Sequence, residues 1–400
     1  MTASLLDTEV IGGIDSHADT LHVAVIDTRG VRLADQEFPT TTLGYVAVLA
    51  FLKRHGALVA IGIEGTSSYG AGIARAARTE GIRVLEVNRP DRAERRRVGK
   101  SDRIDAYQAA DAVLAGRADS TPKDSSIESI RALHNARRSA IKARTATINQ
   151  IHQQLVVAPD DVRAKYANLS ISALLKALAT SRPAPTSPAF AVLIALKTLA
   201  VRAQFLTTQH TELGEHLDQL VATANPALRA AYGIGVDVAA QLLITAGANP
   251  ERMRSEAALA ALCGVAPVPA SSGRTTRHRL SRGGDRAANN ALYRIVLVRM
   301  SSHAATRAYV TRQRAAGRPT KEIIRMLKRA VVREVYRYLS NAVTVPDISD
   351  LRPTRQAKNI TVTAAAQHFH VWPSVISNLE RGIRRDDELA TTYRQWLKAA

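Results

Sequence analysis

The sequence has one cysteine, few aromatic residues and no long apolar run. Cys263 lies among apolar residues, and a lone cysteine excludes a disulfide framework and a cysteine-rich zinc site, as expected in a reducing cytosol. No run reaches about 18 apolar residues, and the N-terminus lacks the basic start of a signal peptide. We therefore expect a cytoplasmic protein with no membrane association.

Acidic residues are also scarce relative to basic ones. The 400 residues contain 55 Lys and Arg against 35 Asp and Glu, a formal net charge of +20. Between Arg274 and Arg337 alone there are 17 basic residues and three acidic ones. This local excess predicts a polyanionic partner, and DNA or RNA is the usual one.

Four of the acids form a pattern in the first quarter of the chain. Asp15 and Glu64 each end an apolar, β-branched run, and a charge at the end of a buried strand needs a metal or a basic partner. Asp102 and Asp105 are three residues apart, which on a helix places both on one face, about 5–6 Å apart. Each acid alone could be a helix cap or an ion-pair member. Together they predict a site for two Mg²⁺ ions, with Mn²⁺ as a substitute, of the kind used in phosphodiester displacement.

The fold class predicted from these patterns is α/β plus all-α. Strand-like runs and helical patterns alternate through the first segment, which is typical of an α/β domain. The predicted strands cover 10–14, 21–27, 31–38, 58–63 and 82–87, and the predicted helices cover 43–55, 70–80 and 102–116. The predicted segments are an α/β domain at 1–120, a helical coiled-coil and dimerisation region at 121–225, a mostly helical second catalytic domain at 226–345, a linker at 346–358 and a small helical module at 359–400.

Heptad spacing sets the coiled-coil region apart from its neighbours. A seven-residue repeat runs through Ile127, His134, Ile141, Ile148 and Leu155, although Arg137 and Arg144 interrupt the companion positions. The pattern returns more strongly from Leu196 to Leu220, in steps of three and four. It predicts an antiparallel hairpin or coiled coil that joins two protomers; the alternative is one helix packed on its own domain.

Two arginine-rich stretches are candidates for binding a phosphate backbone, the alternative being solvated charged loops. Their basic residues are Arg89, Arg92, Arg95, Arg96, Arg97 and Lys100 in the first stretch and Arg274, Arg277, Arg279 and Arg282 in the second. Ser271 and Ser272 precede Gly273 directly before the second stretch. A serine there could attack a phosphate whose charge the arginines offset, or the serines could belong to an inert polar loop.

The last forty residues have helix–turn–helix patterning. Ala366, Val371, Ile376 and Leu379 are the expected packing residues. The residues expected to face DNA from the second helix are Ser374, Ser377, Asn378 and Arg381. The alternative is a docking bundle that does not contact DNA.

Several short motifs, in this order along residues 10–342, resemble the DEDD transposases of the insertion sequence 110 family. They are Gly13-Ile14-Asp15-Ser16-His17-Ala18-Asp19, Ile63-Glu64-Gly65-Thr66-Ser67-Ser68-Tyr69-Gly70, Val87-Asn88-Arg89-Pro90, Lys100-Ser101-Asp102-Arg103-Ile104-Asp105-Ala106, Gly233-Ile234-Gly235, Ser271-Ser272-Gly273 and Arg282-Gly283-Gly284-Asp285. The resemblance implies a RuvC-like, RNase H-type first domain whose Asp15, Glu64, Asp102 and Asp105 bind Mg²⁺.

The resemblance also implies a nucleophile and partners. By position Ser272 would be the nucleophile, with Ser271 as the alternative. Family members are recombinases that mobilise their own insertion sequence, act as dimers pairing into tetramers, and use a bridge RNA to select DNA.

The module at 359–400 is not part of the usual family pattern, and His370 stands where its turn usually has glycine. The alternatives to a transposase are a RuvC-like structure-specific endonuclease, a site-specific DNA invertase and a non-catalytic DNA-binding regulator. An actin-like ATPase is ranked last because a second glycine-rich phosphate loop is missing.

Overall fold

The protein was analysed as a computed structural model. The structure describes residues 8–66, 68–87, 101–118, 125–247, 253–269, 278–279, 281, 283–341, 343–382 and 386–399. The chain divides into two compact units, Met1–Glu128 and Ser129–Ala400. Each unit is described by itself.

A five-stranded mixed sheet forms the centre of the first unit. Its strands are β1 (Glu9–Ser16), β2 (Thr20–Asp27), β3 (Arg32–Pro39), β4 (Ala57–Glu64) and β5 (Val84–Val87), in the order β3-β2-β1-β4-β5. The first three strands form antiparallel pairs, whereas β4 runs parallel to β1 and β5 runs parallel to β4. This arrangement confirms the predicted α/β class and is compatible with an RNase H-type domain.

Helices cover both faces of this sheet. They are α1 (Thr42–Arg54), α2 (Ala71–Thr79) and α3 (Asp102–Leu114). Residues of α1 and α2 pack with β1 and β4 in one apolar cluster. Ala106, Tyr107 and Ala110 of α3 pack with Ile11 and Ala24 in another. Burial on both faces explains why β1 and β4 read as almost continuous apolar runs.

The second unit is mostly helical. Its helices are α4 (Ser125–Val156, which begins in the first unit), α5 (Asp160–Tyr166), α6 (Ile171–Ala179), α7 (Phe190–Ala224), α8 (Pro226–Ala230), α9 (Val236–Ala246), α10 (Glu256–Leu262), α11 (Arg286–Ser302), α12 (Ala304–Ala315), α13 (Thr320–Ser340), α14 (Leu351–Ala357), α15 (Val362–His368), α16 (Pro373–Glu380) and α17 (Asp387–Ala399). The described part of the unit also contains two short strands, β6 (Val268–Pro269) and β7 (His278–Arg279).

The heptad regions form the long helices α4 and α7, which pair in antiparallel fashion. The two arginines expected to interrupt the seam hold it together instead. The Nε of Arg137 donates to the carbonyl oxygen of His210 at 3.0 Å, and the Nε of Arg144 donates to the hydroxyl of Thr207 at 2.7 Å. Long side chains can therefore occupy a seam when the facing helix offers acceptors. Dimerisation through these helices stays a prediction.

By length and composition, α7 could also cross a membrane, with 22% of its apolar window buried inside the structure. Leu196, Ala200 and Ala203 of this helix pack in an apolar cluster with α4, α5 and α6. A core helix of a soluble protein passes the same test. The expected absence of membrane association is thus a prediction that the fold leaves open.

The C-terminal helices have their own apolar core. Its buried members include Leu351, Ala366, Ile376, Leu379 and Tyr393, which come from four helices. Glu380 accepts hydrogen bonds from the guanidinium of Arg355 at 2.6 and 3.0 Å and from the Tyr393 hydroxyl at 2.8 Å. A paired and fully hydrogen-bonded carboxylate can be buried without a large penalty.

Candidate active site

Two of the predicted acids stand side by side at the ends of neighbouring parallel strands. Ile14 of β1 lies opposite Ile63 of β4, and Asp15 and Glu64 are the next residues of their strands. The hydroxyl of Ser16 donates to the backbone carbonyl of Glu64 at 2.8 Å, which joins the two strand ends. Parallel pairing therefore brings two acids together that are far apart in the sequence.

The other two acids begin helix α3. The Ser101 hydroxyl caps this helix by accepting from the backbone N–H of Ile104 at 3.3 Å, so Asp102 is its first residue and Asp105 follows one turn later. Carboxylates are favourable at this end of a helix because the unpaired N–H groups there carry partial positive charge. The cap thus fixes the position at which the acidic face begins.

A close approach between α3 and the sheet sets the distance between the acids. A Cβ atom at Gly13 would lie 2.0 Å from the carbonyl oxygen of Ala106, and one at Gly62 would lie 2.5 Å from that of Ala109. Only glycine permits such contact between backbones. Because Gly13 is two residues from Asp15, this contact brings the start of α3 to the end of β1.

The resulting cluster contains Asp15, Asp102 and one histidine. The Nε2 of His17 lies 3.2 Å from an Asp15 carboxylate oxygen and 3.4 Å from an Asp102 carboxylate oxygen. One possible ligand atom from each of the three residues lies within 4.8 Å of the others. Asp15 is 7% exposed and Asp105, one turn further along α3, is 4% exposed. The site is therefore both compact and partly dehydrated.

The electrostatics of the site favour a cation. Burial raises the pKa of Asp15; His17 opposes this rise, while the negative charges of Asp105 and Asp102 add to it. Three carboxylates are thus close together, and His17 is a basic neighbour of two of them, Asp15 and Asp102. Carboxylate oxygens and an imidazole nitrogen are ligands for divalent metals, so the donor set fits such an ion.

Glu64 takes a less direct part in this arrangement. Its side chain is half-buried at the adjacent strand end, but it is not among the three residues of the close cluster. Of the four predicted acids, the structure therefore gathers Asp15, Asp102 and Asp105 most closely and places Glu64 beside them through the backbone of β4.

Sequence reasoning missed His17. The signal was available, because alternate residues of an extended chain point to the same face, and His17 follows Asp15 by two positions. A histidine beside an acid is common in sequences. This histidine becomes part of the cluster only because the packing of α3 brings Asp102 next to it.

A second polar network supports α3 next to the acids. The Nε2 of His22 lies 3.0 Å from a carboxylate oxygen of Asp35 on β3. The other oxygen accepts from the Tyr107 hydroxyl at 3.1 Å and pairs with the Nε of Arg103 at 2.8 Å. His22 is directly opposite Asp15 in the β1–β2 pair. Asp35 therefore ties α3 to two strands of the sheet.

In sequence, the predicted nucleophile falls between two paired strands of the second unit. Val268 pairs with Arg279 and Pro269 with His278, so β6 and β7 form an antiparallel pair. We call β6, β7 and the connecting residues 270–277 the serine hairpin. Ser271, Ser272, Arg274 and Arg277 fall within 270–277, which lies outside the described residues. For Arg279 only the backbone is described, and Arg282 also lies outside.

The remaining residues predicted to contact nucleic acid also fall partly inside and partly outside the described residues. Arg89, Arg92, Arg95, Arg96, Arg97 and Lys100 lie outside the described residues. In the C-terminal module, Ser374 of α16 and Arg381, directly after this helix, are exposed, while Ser377 and Asn378 are partly buried. The guanidinium of Arg381 donates to the Asn378 side chain at 2.8 Å. This face is accessible, and its contact with DNA stays a prediction.

Comparison with known proteins agrees with this site. A transposase family model for DEDD transposases of the IS110 type matches residues 12–158, and the transposase model of the IS116/IS110/IS902 family matches residues 225–311. Together the two ranges take in more than half of the chain, and the first contains the whole acid cluster. The two matches place the chain in the class of insertion-sequence transposases, with which the fold and the acid cluster are compatible.

Within that class, the chain belongs to the IS110 transposase family. It is similar to a Streptomyces coelicolor protein described as "Insertion element IS110 uncharacterized 43.6 kDa protein", with 34% identity over 110 residues. The matched region spans 27% of this chain and 27% of that relative.

Proposed function

We propose that the protein is a DNA transposase that cuts and rejoins strands to mobilise its own insertion sequence. The observation that carries the proposal is the compact Asp15–His17–Asp102 cluster, with Asp105 buried beside it, in a chain of a transposase family. The net charge of +20 supports a nucleic-acid substrate.

The acids are the proposed metal-holding residues. Asp15, Asp102, Asp105 and Glu64 would hold two ions, with His17 as an added nitrogen ligand. Mg²⁺, or Mn²⁺ in its place, would supply polarisation of the scissile phosphate and stabilisation of the leaving oxygen. The chain itself contributes the fixed spacing of the carboxylates, through the strand register and the close packing of α3.

Ser272 is the proposed nucleophile, with Ser271 as the alternative. Its hydroxyl oxygen would form a bond to phosphorus while the bond from phosphorus to the 3′ oxygen breaks. The serine loses its proton, and the 3′ oxygen leaves as a hydroxyl after taking up a proton. Rejoining reverses the exchange, because a 3′ hydroxyl then attacks the serine–phosphate bond. Arg274, Arg277, Arg279 and Arg282 would offset charge on the phosphate.

The partners follow from the same proposal. We expect the protein to bind the element ends and target DNA, to use a bridge RNA for selecting both, and to act in the cytoplasm as dimers that pair into tetramers. The long α4–α7 pair is the proposed contact between protomers. One chain's acids could then work with the serine of another.

The deciding experiment detects a covalent protein–DNA adduct. The purified full chain is mixed with Mg²⁺, RNA transcribed from beside its reading frame and labelled DNA spanning an element end, and the products are separated under denaturing conditions. We expect an adduct with the unaltered chain and with Ser271→Ala, and none with Ser272→Ala. The reverse pattern would reassign the nucleophile to Ser271.

Replacement of the acids tests the metal-holding role in the same assay. Asp15→Asn and Asp105→Asn keep the side-chain shape but remove a charge, so we expect strand cleavage to fall by at least about 10²–10³-fold while DNA binding persists. Glu37→Gln, an exposed acid on β3, is the control. Unchanged cleavage in both acid variants would contradict the proposal.

A RuvC-like endonuclease is the second candidate, because the close acid cluster lies wholly within the first unit and could activate water without a serine. That enzyme would cleave without forming an adduct and without rejoining strands. Full cleavage by a protein carrying both Ser271→Ala and Ser272→Ala would favour it.

A further inference from the structure

The residues that precede the serine hairpin are in direct backbone contact with those that follow it. A Cβ atom at Gly264 would lie 2.5 Å from the Gly283 carbonyl oxygen, and one at Gly284 would lie 2.6 Å from the Gly264 nitrogen. The backbone N–H of Asp285 donates to the Leu262 carbonyl at 2.7 Å. The chain therefore enters and leaves the hairpin region through a narrow base, formed by residues 262–264 and 283–285.

Asn289 on α11 holds the entry side of this base. Its amide nitrogen donates to the backbone carbonyls of Cys263 and Gly264 at 2.9 and 3.0 Å. Its amide oxygen accepts from the Nζ of Lys328 at 2.8 Å. Because carbonyls only accept and an ammonium only donates, the site requires a group that does both. A carboxamide satisfies this requirement, whereas a carboxylate of the same shape does not.

Lys328 on α13 is an unusual residue to find at this place. It is 7% exposed, and among the described residues its partner is the neutral Asn289 rather than an acid. Burial lowers the pKa of Lys328, and the nearby charge of Arg325 lowers it further. A buried cation with a neutral partner disfavours folding, and an apolar side chain of similar volume would be more stable there. Stability alone therefore does not account for Lys328.

The exit side of the base is anchored separately. Asp285 caps α11 by accepting from the backbone N–H groups of Ala287 and Ala288 at 2.7 and 3.2 Å. Its second oxygen accepts from the Thr245 hydroxyl of α9 at 2.6 Å. The chain that enters the serine hairpin and the chain that leaves it are thus fixed to three helices by different residues.

We propose that Asn289 and Lys328 are positioning residues for the serine hairpin. They hold the Cys263–Gly264 carbonyls, and through them the direction in which the chain enters β6, so that the segment carrying Ser272 is presented to DNA in one orientation. This inference rests on the proposed serine chemistry. It adds two residues, on α11 and α13, whose described contacts are with each other and with the backbone at 263–264.

The first test is Asn289→Asp, with Asn290→Asp as its control. Both changes add one carboxylate to α11, but Asn290 is exposed and outside the network. In the adduct assay we expect Asn289→Asp to lower the single-turnover rate at saturating DNA by about 10–100-fold, as a misplaced reactive group does. The DNA concentration for half-saturation stays unchanged, and Asn290→Asp keeps the full rate.

The second test is Lys328→Met, with the exposed Lys321→Met of the same helix as its control. A purely structural lysine would lower the unfolding midpoint when replaced. We expect instead that Lys328→Met leaves the midpoint unchanged or raises it, while the adduct rate falls. Hydrogen exchange of residues 261–269 should also become faster in Asn289→Asp and Lys328→Met than in their controls.

The outcomes separate this inference from the proposed function. No adduct with the unaltered chain would overturn the serine chemistry and this inference with it. An adduct in the unaltered chain that forms at the same rate in Asn289→Asp and Lys328→Met would overturn the positioning role alone. The same holds if Lys328→Met lowers the unfolding midpoint without altering the adduct rate of the folded protein.

Discussion

The acid cluster and the serine hairpin are built in opposite ways. The cluster joins β1 and α3, which are distant in sequence, and it depends on strand register, a capped helix and glycine contacts in the core. The serine hairpin is one continuous stretch of sequence, and the described contacts that fix it are made by the residues at its base. A metal site needs several ligands at set distances, whereas a nucleophile needs one side chain held in one direction. The predictions below test how far this contrast holds.

The largest effect is expected when the packing of α3 on the sheet is disturbed. Gly13→Ala would place a methyl group 2.0 Å from the Ala106 carbonyl oxygen, so α3 must move and carry Asp102 and Asp105 away from Asp15. We expect a loss of about 3 kcal/mol or more in the free energy of unfolding and near-complete loss of strand cleavage. Urea titration and the cleavage assay measure both.

Gly235→Ala is the control for this change. A Cβ at Gly235 meets nothing within 4 Å, and its φ of −81° is open to any residue. We expect a loss of about 1 kcal/mol at most, because Gly235 is the N-cap of α9 and glycine caps a helix better than alanine does. If Gly13→Ala were equally mild, the acid cluster would not depend on close helix-to-sheet contact.

A smaller effect is expected at His17. If its Nε2 is a ligand, His17→Gln should weaken Mn²⁺ binding by about 10–100-fold, a loss typical of a disrupted metal site. Titration calorimetry or the Mn²⁺ electron paramagnetic resonance signal measures this in the full chain without DNA. Tighter binding in His17→Gln would mean that the histidine competes with the ion for Asp15 and Asp102 and is not a ligand.

Loss of the hydrogen-bond network around Asp35 should have a smaller effect than either Gly13→Ala or His17→Gln. Burial acts to raise the pKa of Asp35, but hydrogen bonds from His22 and Tyr107 and the charge of Arg103 outweigh it and hold the pKa below its ordinary value. The stabilisation is therefore present above the ordinary value of 3.8 and is lost as pH falls through the lower folded-state value. Asp35→Asn should lose about 1.5–3 kcal/mol at pH 7.

The pH dependence of the unfolding midpoint distinguishes the loss of the Asp35 pairing from general acid unfolding. Between pH 5 and 2, unfolding midpoints of the unaltered chain and Asp35→Asn should converge, because protonated Asp35 no longer pairs with its partners. Glu37→Gln on the same strand is exposed and should follow the unaltered chain at every pH. Parallel curves for Asp35→Asn would show that the pairing is not responsible.

The strands and helices of the first unit were predictable because their signals are local. The apolar runs at 58–63 and 21–27 became β4 and β2, and the pattern at 102–116 became α3. The placement of Asp15 and Glu64 at strand ends followed from the same runs. The overall class, a mixed sheet followed by helices, needs no more than this periodicity.

What could not be predicted depends on contacts between segments. The sequence contains His17, Gly13 and Asp35, but nothing local shows that α3 meets all three regions. The sequence also gives no signal for the roles of Asn289 and Lys328, because a buried lysine on an amphipathic helix has the same spacing as an exposed one. Arg137 and Arg144 look like interruptions of a seam until the acceptors on α7 are known.

The smallest effect is expected in the C-terminal module, where the change tested concerns the backbone conformation of one turn and not a functional side chain. His370 has a φ of +51°, so the turn between α15 and α16 adopts the left-handed conformation that glycine usually supplies. The missing glycine therefore leaves the turn intact, at a conformational cost of about 1–2 kcal/mol. Relief of that strain, offset by the greater freedom of glycine in the unfolded chain, predicts that His370→Gly raises stability by about 0.5–1 kcal/mol.

Gln367→Gly, three residues earlier in the exposed part of α15, should instead lower stability by a similar amount because it weakens a helix. Thermal unfolding followed by the fluorescence of Trp372 and Trp396, both in the module, measures each change. Opposite signs for the two glycines would establish that this module tolerates histidine through its own packing, independently of the metal site and the serine hairpin. Equal losses would mean that the His370 ring makes a contact worth more than the strain it imposes.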